Sequence, residues 1–224
     1  MNEPVTTSRP SRRPLKTRGR AWAKALATWL SVRRVPPNAI SVFSLLPAAG
    51  AGMCFLLLPH AGASLQVLLL LLIAGLIQLR LLANMLDGLV AVEGGRKTAT
   101  GDLFNEVPDR FADVLILAPA GYAIPWLGSL GIPLGWGVAL LAVLTAYIRL
   151  LGGSLGLQQN FLGPMAKQHR MAAITLASLL SIVEVIAAGY QGRVLALGLA
   201  LIGIGAAITV VRRLSLIAAQ LKRR

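Results

Sequence analysis

At 224 residues, 56% of them hydrophobic, with a mean hydropathy of +0.71, the chain is too apolar for an ordinary soluble domain. Its 22 Lys and Arg against 8 Asp and Glu give a formal charge of +14. The basic residues cluster at the termini and in short connections between apolar runs, which is the positive-inside pattern of a membrane protein and not a nucleic-acid surface. A single cysteine, Cys54, excludes an intramolecular disulfide.

Residues 1–20 hold Pro4, Pro10, Pro14 and six Arg or Lys, and read as a basic disordered tail suited to lying near anionic headgroups. Residues 21–35 follow as an amphipathic helix with Trp22, Leu26, Trp29 and Leu30 on one face and Lys24, Thr28 and Ser31 on the other. It either lies in the membrane interface or packs on the domain. Pro36-Pro37-Asn38 stops it and opens the domain of residues 36–224, with Asn38 or Ser41 expected to cap the next helix.

Six apolar spans are expected in that domain. They run over 40–58, from 65 through 82 toward Gly94-Gly95, from Gly101 or Asp102 to 124, and over 133–151, 167–188 and 194–216. The fold class is thus an all-α integral membrane protein, six transmembrane helices preceded by an interfacial helix. An even number of spans places both termini on one side. The tail, Arg96-Lys97, Lys167 to Arg170 and the terminal Arg/Lys cluster make that side cytoplasmic, in a cell (inner) membrane.

Six of the eight acidic residues fall between Asn84 and Asp113: Asp87, Glu93, Asp102, Glu106, Asp109 and Asp113. An Asp at a helix centre opposes insertion by about 2.5–3.5 kcal/mol, so several together require partners. Asn84 and Asp87 are spaced i, i+3, and Asn105, Asp109 and Asp113 are spaced i, i+4, i+8, so each set forms one helical face. The two helices are expected to be antiparallel neighbours, with Gly88 and Ala91 permitting close approach. Oxygen-only ligands without His or Cys point to a hard cation, Mg²⁺ or Mn²⁺, of a kind that accepts phosphate oxygens from a substrate. On spacing alone, an ion channel or transporter stays open beside phosphoryl transfer.

The stretch resembles the signature of the CDP-alcohol phosphotransferase (phosphatidyltransferase) family, D-x2-D-G-x2-A-R-x8-G-x3-D-x3-D. Asp87, Gly88, Ala91, Gly101 and Asp109 agree with it, while Asn84, Val92 and Asn105 stand where it has Asp, Arg and Asp. The resemblance implies a metal pair held against the diphosphate of a CDP-linked lipid such as CDP-diacylglycerol. An alcohol acceptor would attack the phosphorus with release of CMP, in phospholipid biosynthesis. It implies Asp87 as a metal ligand and Asp109 as the general base. Asn84 and Asn105 would be neutral ligands to metal, cytidine or phosphate, Gly88, Ala91 and Gly101 would line the nucleotide site, and a homodimer is the expected assembly.

Losing two carboxylates weakens divalent-ion binding and leaves one metal in place of two, unless Glu106 and Asp113 compensate. A rival alignment makes Asp109 and Asp113 the D-x3-D pair, at the cost of the spacing to Gly101. Arg96, Lys97 or Arg110 replaces the missing Arg. Arg149, Lys167 and Arg170 either bind the lipid phosphate or acceptor or set topology by snorkelling. Arg80 is expected to be a counter-ion to Asp87 or Asp113, Glu184 a snorkelling or inter-helix residue, and His169 interfacial. The alternative function is a catalytically degenerate protein that binds a CDP-lipid or a partner; a transporter ranks third.

Overall fold

The computed structural model describes residues 21–93 and 100–223. The tail expected over 1–20, the connection Gly94-Gly95-Arg96-Lys97 and the side chains of Val92 and Glu93 lie outside the described residues. Those described form helices and no strand: α1 Ala21–Val32, α2 Pro37–Phe43, α3 Leu45–Leu57, α4 Ala63–Glu93, α5 Gly101–Tyr122, α6 Gly131–Ser154, α7 Lys167–Ala188 and α8 Arg193–Leu221.

The breaks follow from local chemistry. Pro36 is extended and Pro37 opens α2, where a missing N–H costs nothing. Neither Asn38 nor Ser41 caps that helix; Ser41 bonds back to the Pro37 carbonyl, and Asn38 donates to Thr100 Oγ1. α2 and α3 form one nearly continuous span, 37–60 with its closing 3₁₀ turn, interrupted at Ser44. Pro47, three residues on, cannot donate to the carbonyl of Phe43.

Five helical segments are long and apolar enough to cross a membrane: 37–60, Ala63–Ala91, 125–154, Lys167–Ala188 and Arg193–Leu221. The chain is therefore a multi-pass helical membrane protein. The expected third span, α5, is absent from that set because its first turns are polar. At 22 residues it is still about 33 Å long, bilayer length.

The six long elements close into a ring in which each packs on two others, in the order α3, α4, α7, α8, α6, α5 and back to α3. Backbone proximity is set by small residues, as expected where burial of apolar surface from lipid supplies little drive. A Cβ on Gly52 of α3 would run into the Leu115 carbonyl of α5, and one on Gly121 of α5 would meet the backbone of Gly131 and Gly135 in α6. The core holds Phe55, Leu70, Ile73, Ile77, Ile116, Leu117, Ile174, Leu199 and Ile202. Leu68, Leu72 and Leu79 of α4 and Leu197, Leu201 and Ile204 of α8 face outward, a lipid-facing rim.

One expectation fails. α4 and α5 are neighbours in sequence but meet at most marginally, because α2 and α3 pack against both and separate them. Gly88 and Ala91 therefore serve no close α4–α5 approach. Polar side chains join them instead, with Arg80 and Asn84 of α4 reaching Asp109 of α5.

α1 packs on the end of α4 through Ala23 and Ala27, against Met85, Leu86, Leu89 and Val90. Trp22 and Trp29 point away from the protein, with Arg33 stacked 5.0 Å from the Trp29 ring. Glu184, at the far end of α7, accepts backbone N–H bonds from Gln191, Arg193 and Val194. It thus neutralises the orphan donors at the start of α8, a role set by helix-end chemistry.

Candidate active site

One end of the ring is polar. The last turns of α4 bring Arg80, Asn84 and Asp87, spaced i, i+4, i+7 on one face. The first half of α5 brings Asn105, Glu106, Asp109 and Asp113, α7 opens with Lys167 and Arg170, α6 ends near Arg149, and α2 contributes Ser41.

Asp109 is the hub. Its Oδ1 accepts from Arg80 Nη2 at 3.0 Å and from the Asn84 side-chain amide. Its Oδ2 accepts from Lys167 Nζ and has Arg110 Nη2 at 3.8 Å. A carboxylate has about four lone-pair sites, and three of them are taken here, since 3.8 Å is too long for a hydrogen bond. Asp113, one turn deeper and wholly buried, is bound by Arg170 Nη2 at 2.7 Å, with Arg80 at 3.9 Å. Arg170 also donates to Thr145 Oγ1 and the Met165 carbonyl, which fixes its guanidinium. Arg80 is the counter-ion the sequence anticipated, but it serves Asp109 and Asp113 and not Asp87. Its Nε and Nη1 are buried with no hydrogen-bond partner.

Asp87 is 5% exposed and accepts a 2.5 Å hydrogen bond from Ser41 Oγ. The other predicted residues sit apart. Glu106 does not join the aspartates: both of its oxygens accept from Arg149 Nη2 at 2.6 Å, and Arg110 lies at 3.4 Å. Arg149 also donates to Gln159 and lies 5.1 Å from the Phe161 ring, so it holds the α6–α7 connection against α5. Asn105 is exposed, while Gly88, Ala91 and Gly101 are half-buried. His169 contacts the Pro164 carbonyl.

Two contributors escaped the reading of the sequence as site residues. Ser41 was weighed only as a cap. Arg213 of α8 donates to the carbonyls of Leu162 and Thr145, tying the α6–α7 connection to the bundle. A charge inside an apolar run demands a partner, so Arg213 carried a signal. Ser41, a neutral hydroxyl in a span, carried little.

Solved structures share this fold. The Mycobacterium tuberculosis phosphatidylinositol phosphate synthase PgsA1 with CDP-DAG bound superposes with a TM-score of 0.72 at 19% identity, over 87% of this chain and 92% of that one. The same protein in complex with manganese and citrate gives 0.71 at 19%, over 87% and 88%. Its apo form gives 0.68 at 20%, over 85% and 93%. No family model and no curated protein matches the sequence. At this identity the likeness shows the fold.

The residues do not fit the metal pair that the resemblance implies. Among the described residues no three His, Cys, Asp or Glu side chains converge in a way that can hold a metal ion. Three of the about four lone-pair sites of Asp109 are taken, Asp113 is bound by Arg170 through one oxygen, Glu106 faces Arg149, and the amides at 84 and 105 bring no charge. Three buried carboxylates, Asp87, Asp109 and Asp113, are already opposed by three cations, Arg80, Lys167 and Arg170.

Proposed function

We propose that the chain is a membrane phosphotransferase that moves a phosphatidyl or similar substituted phosphate group from a CDP-linked lipid to an alcohol, releasing CMP. The observation that carries this reading is Asp109 gathered with Lys167, Arg80 and Asn84 at the polar end of a bundle. Two supports stand beside it: the backbone follows that of a CDP-DAG-bound synthase, and five of the eight signature positions match without a gap.

Of the cations hydrogen-bonded to Asp109, Lys167 keeps 26% of its side chain exposed and Arg80 none. A diphosphate arriving at this polar end competes with Asp109 for this ammonium. Transfer of Lys167 to a phosphate oxygen frees Oδ2 of Asp109 to take the acceptor's hydroxyl proton. The acceptor oxygen then attacks phosphorus, the bond to the CMP oxygen breaks, and CMP leaves with the electron pair. Lys167 offsets the charge that develops on the phosphate oxygens. Arg80 stays bound to Oδ1 of Asp109 and holds its carboxylate in place. The positive-inside distribution puts this end in the cytoplasm, with α5 as a sixth span and α1 in the interface.

A second reading, binding of a CDP-lipid without turnover, is favoured by Asn84 and Asn105 standing where the signature has carboxylates. Purified protein incubated with labelled CDP-diacylglycerol and a panel of alcohols, with and without Mg²⁺ or Mn²⁺, separates the two. Transfer predicts CMP release that falls at least about 100-fold in Asp109→Ala, the scale of general-base loss. Retention of the lipid with no CMP release under any condition selects the second reading.

A further inference from the structure

We infer that this centre works without a divalent cation: Arg80, Lys167 and Arg170 supply as fixed side-chain charge what a metal pair would bring, and Lys167 is the group that meets the phosphate of the ligand. The nature of the ligand rests on the phosphotransferase reading, whereas the charge balance does not.

Three independent features point the same way. Arg80 is completely buried and lies between two carboxylates, 3.0 Å from Asp109 and 3.9 Å from Asp113. A guanidinium cannot shed its proton in a protein, so this charge is permanent. It already sets one positive charge between the two acids. Second, Asn84 acts as a donor toward Asp109. A carboxylate at position 84 would face Asp109 with like charge and would need a cation between them; an amide instead supplies a hydrogen of its own. The exchange of Asp for Asn and the arrival of side-chain cations are therefore two sides of one change. Third, Asn105 is exposed and carries no charge, so that signature position adds no carboxylate beside Asp109.

Lys167 differs from the two arginines in ways that suit it to contact a ligand. Arg170 is locked by three acceptors, and Arg80 is sealed from solvent. Lys167 is half-buried on a flexible stem at the first residue of α7 and carries three rotatable donors. It can leave Asp109 for a phosphate oxygen without unpacking the helix.

The test uses the full chain in detergent micelles with two probes, Mn²⁺ and CDP. Mn²⁺ mixed in equimolar amount is followed by its electron paramagnetic resonance signal, and CDP binding is measured by calorimetry in EDTA and again with excess Mn²⁺. The expected result is that the Mn²⁺ signal stays that of the free ion and that CDP affinity changes less than about twofold between the two conditions. Lys167→Met is expected to weaken CDP about 10- to 100-fold, the scale of a lost hydrogen bond to a charged group. Stoichiometric capture of Mn²⁺, or CDP binding that appears only with the metal, overturns the inference. Absence of CDP binding in both conditions refutes the ligand assignment and the phosphotransferase reading, while the Mn²⁺ signal still decides the metal question.

Discussion

The buried pair between Arg170 and Asp113 offers a sharp test of the structure. Both side chains are at most 2% exposed and lie 2.7 Å apart, and Arg80 is 3.9 Å from the other carboxylate oxygen, too far for a hydrogen bond. Replacing Arg170 by Met conserves most of the volume and strands Asp113. Removing one member of a buried ion pair costs about 3–5 kcal/mol. An unpaired carboxylate can escape by protonation, which for an ordinary aspartate costs about 4 kcal/mol at pH 7 and so bounds the loss. The bonds from Arg170 to Thr145 and the Met165 carbonyl add little, since hydrogen bonds between membrane helices average about 0.6 kcal/mol. The expected total of about 3–5 kcal/mol corresponds to a fall in melting temperature of roughly 6–20 °C for a chain of this size. The assay is thermal unfolding of the detergent-solubilised protein by circular dichroism. In the double variant Arg170→Met, Asp113→Leu the stranded charge is gone, and most of the loss should be recovered. A shift under about 2 °C for the single variant, or a double variant as unstable as the two singles combined, would refute the buried pairing.

Two further changes probe the frame around the site. Glu184→Ala removes the acceptor of three N–H groups at the start of α8 and should cost about 1–2 kcal/mol, read as a fall in melting temperature of about 2–8 °C; an unchanged value contradicts the cap. Gly52→Ala places a Cβ against the Leu115 carbonyl and should destabilise by about 1–3 kcal/mol. Gly75→Ala, which meets open space in another helix, should instead be neutral or stabilising by up to about 1 kcal/mol; equal effects at the two positions would refute the close α3–α5 approach.

The helical frame was largely legible because its signals are local and additive. The expected start and end of the fifth span, Lys167 and Ala188, coincide with α7, where polar residues flank an unbroken apolar run. The break at Pro36-Pro37 and the start near Gly101 follow from backbone chemistry in the same way. Neighbour relations are not local. Adjacency in sequence implied that α4 and α5 touch, but the small residues that decide close packing here serve other pairs, Gly52 the α3–α5 contact and Gly121 with Gly135 the α5–α6 contact. No periodicity within one helix reveals which distant helix shares its complementary groove.

The candidate site shows the same division, with a consequence for its chemistry. That charges would gather at one end could be read from Asn84 to Asp113, together with Arg80, Lys167 and Arg170 at spacings that place them at matching depth. Which charge would balance which could not, because a carboxylate facing a metal and one facing a guanidinium leave the same trace in a sequence. The structure separates the two through geometry: Lys167 and Arg80 meet Asp109 on different oxygens, and Glu106 turns to Arg149. Lys167 reaches Asp109 from the first residue of α7 and Arg149 reaches Glu106 from the last turns of α6, so the cluster is assembled by long side chains from several helices. A chain such as that of Lys167 reorients without moving its helix and can exchange partners at small cost in packing. Lys167, which keeps part of its side chain exposed where Arg80 is sealed, is thus the member of this ion-paired centre suited to meet an anionic ligand.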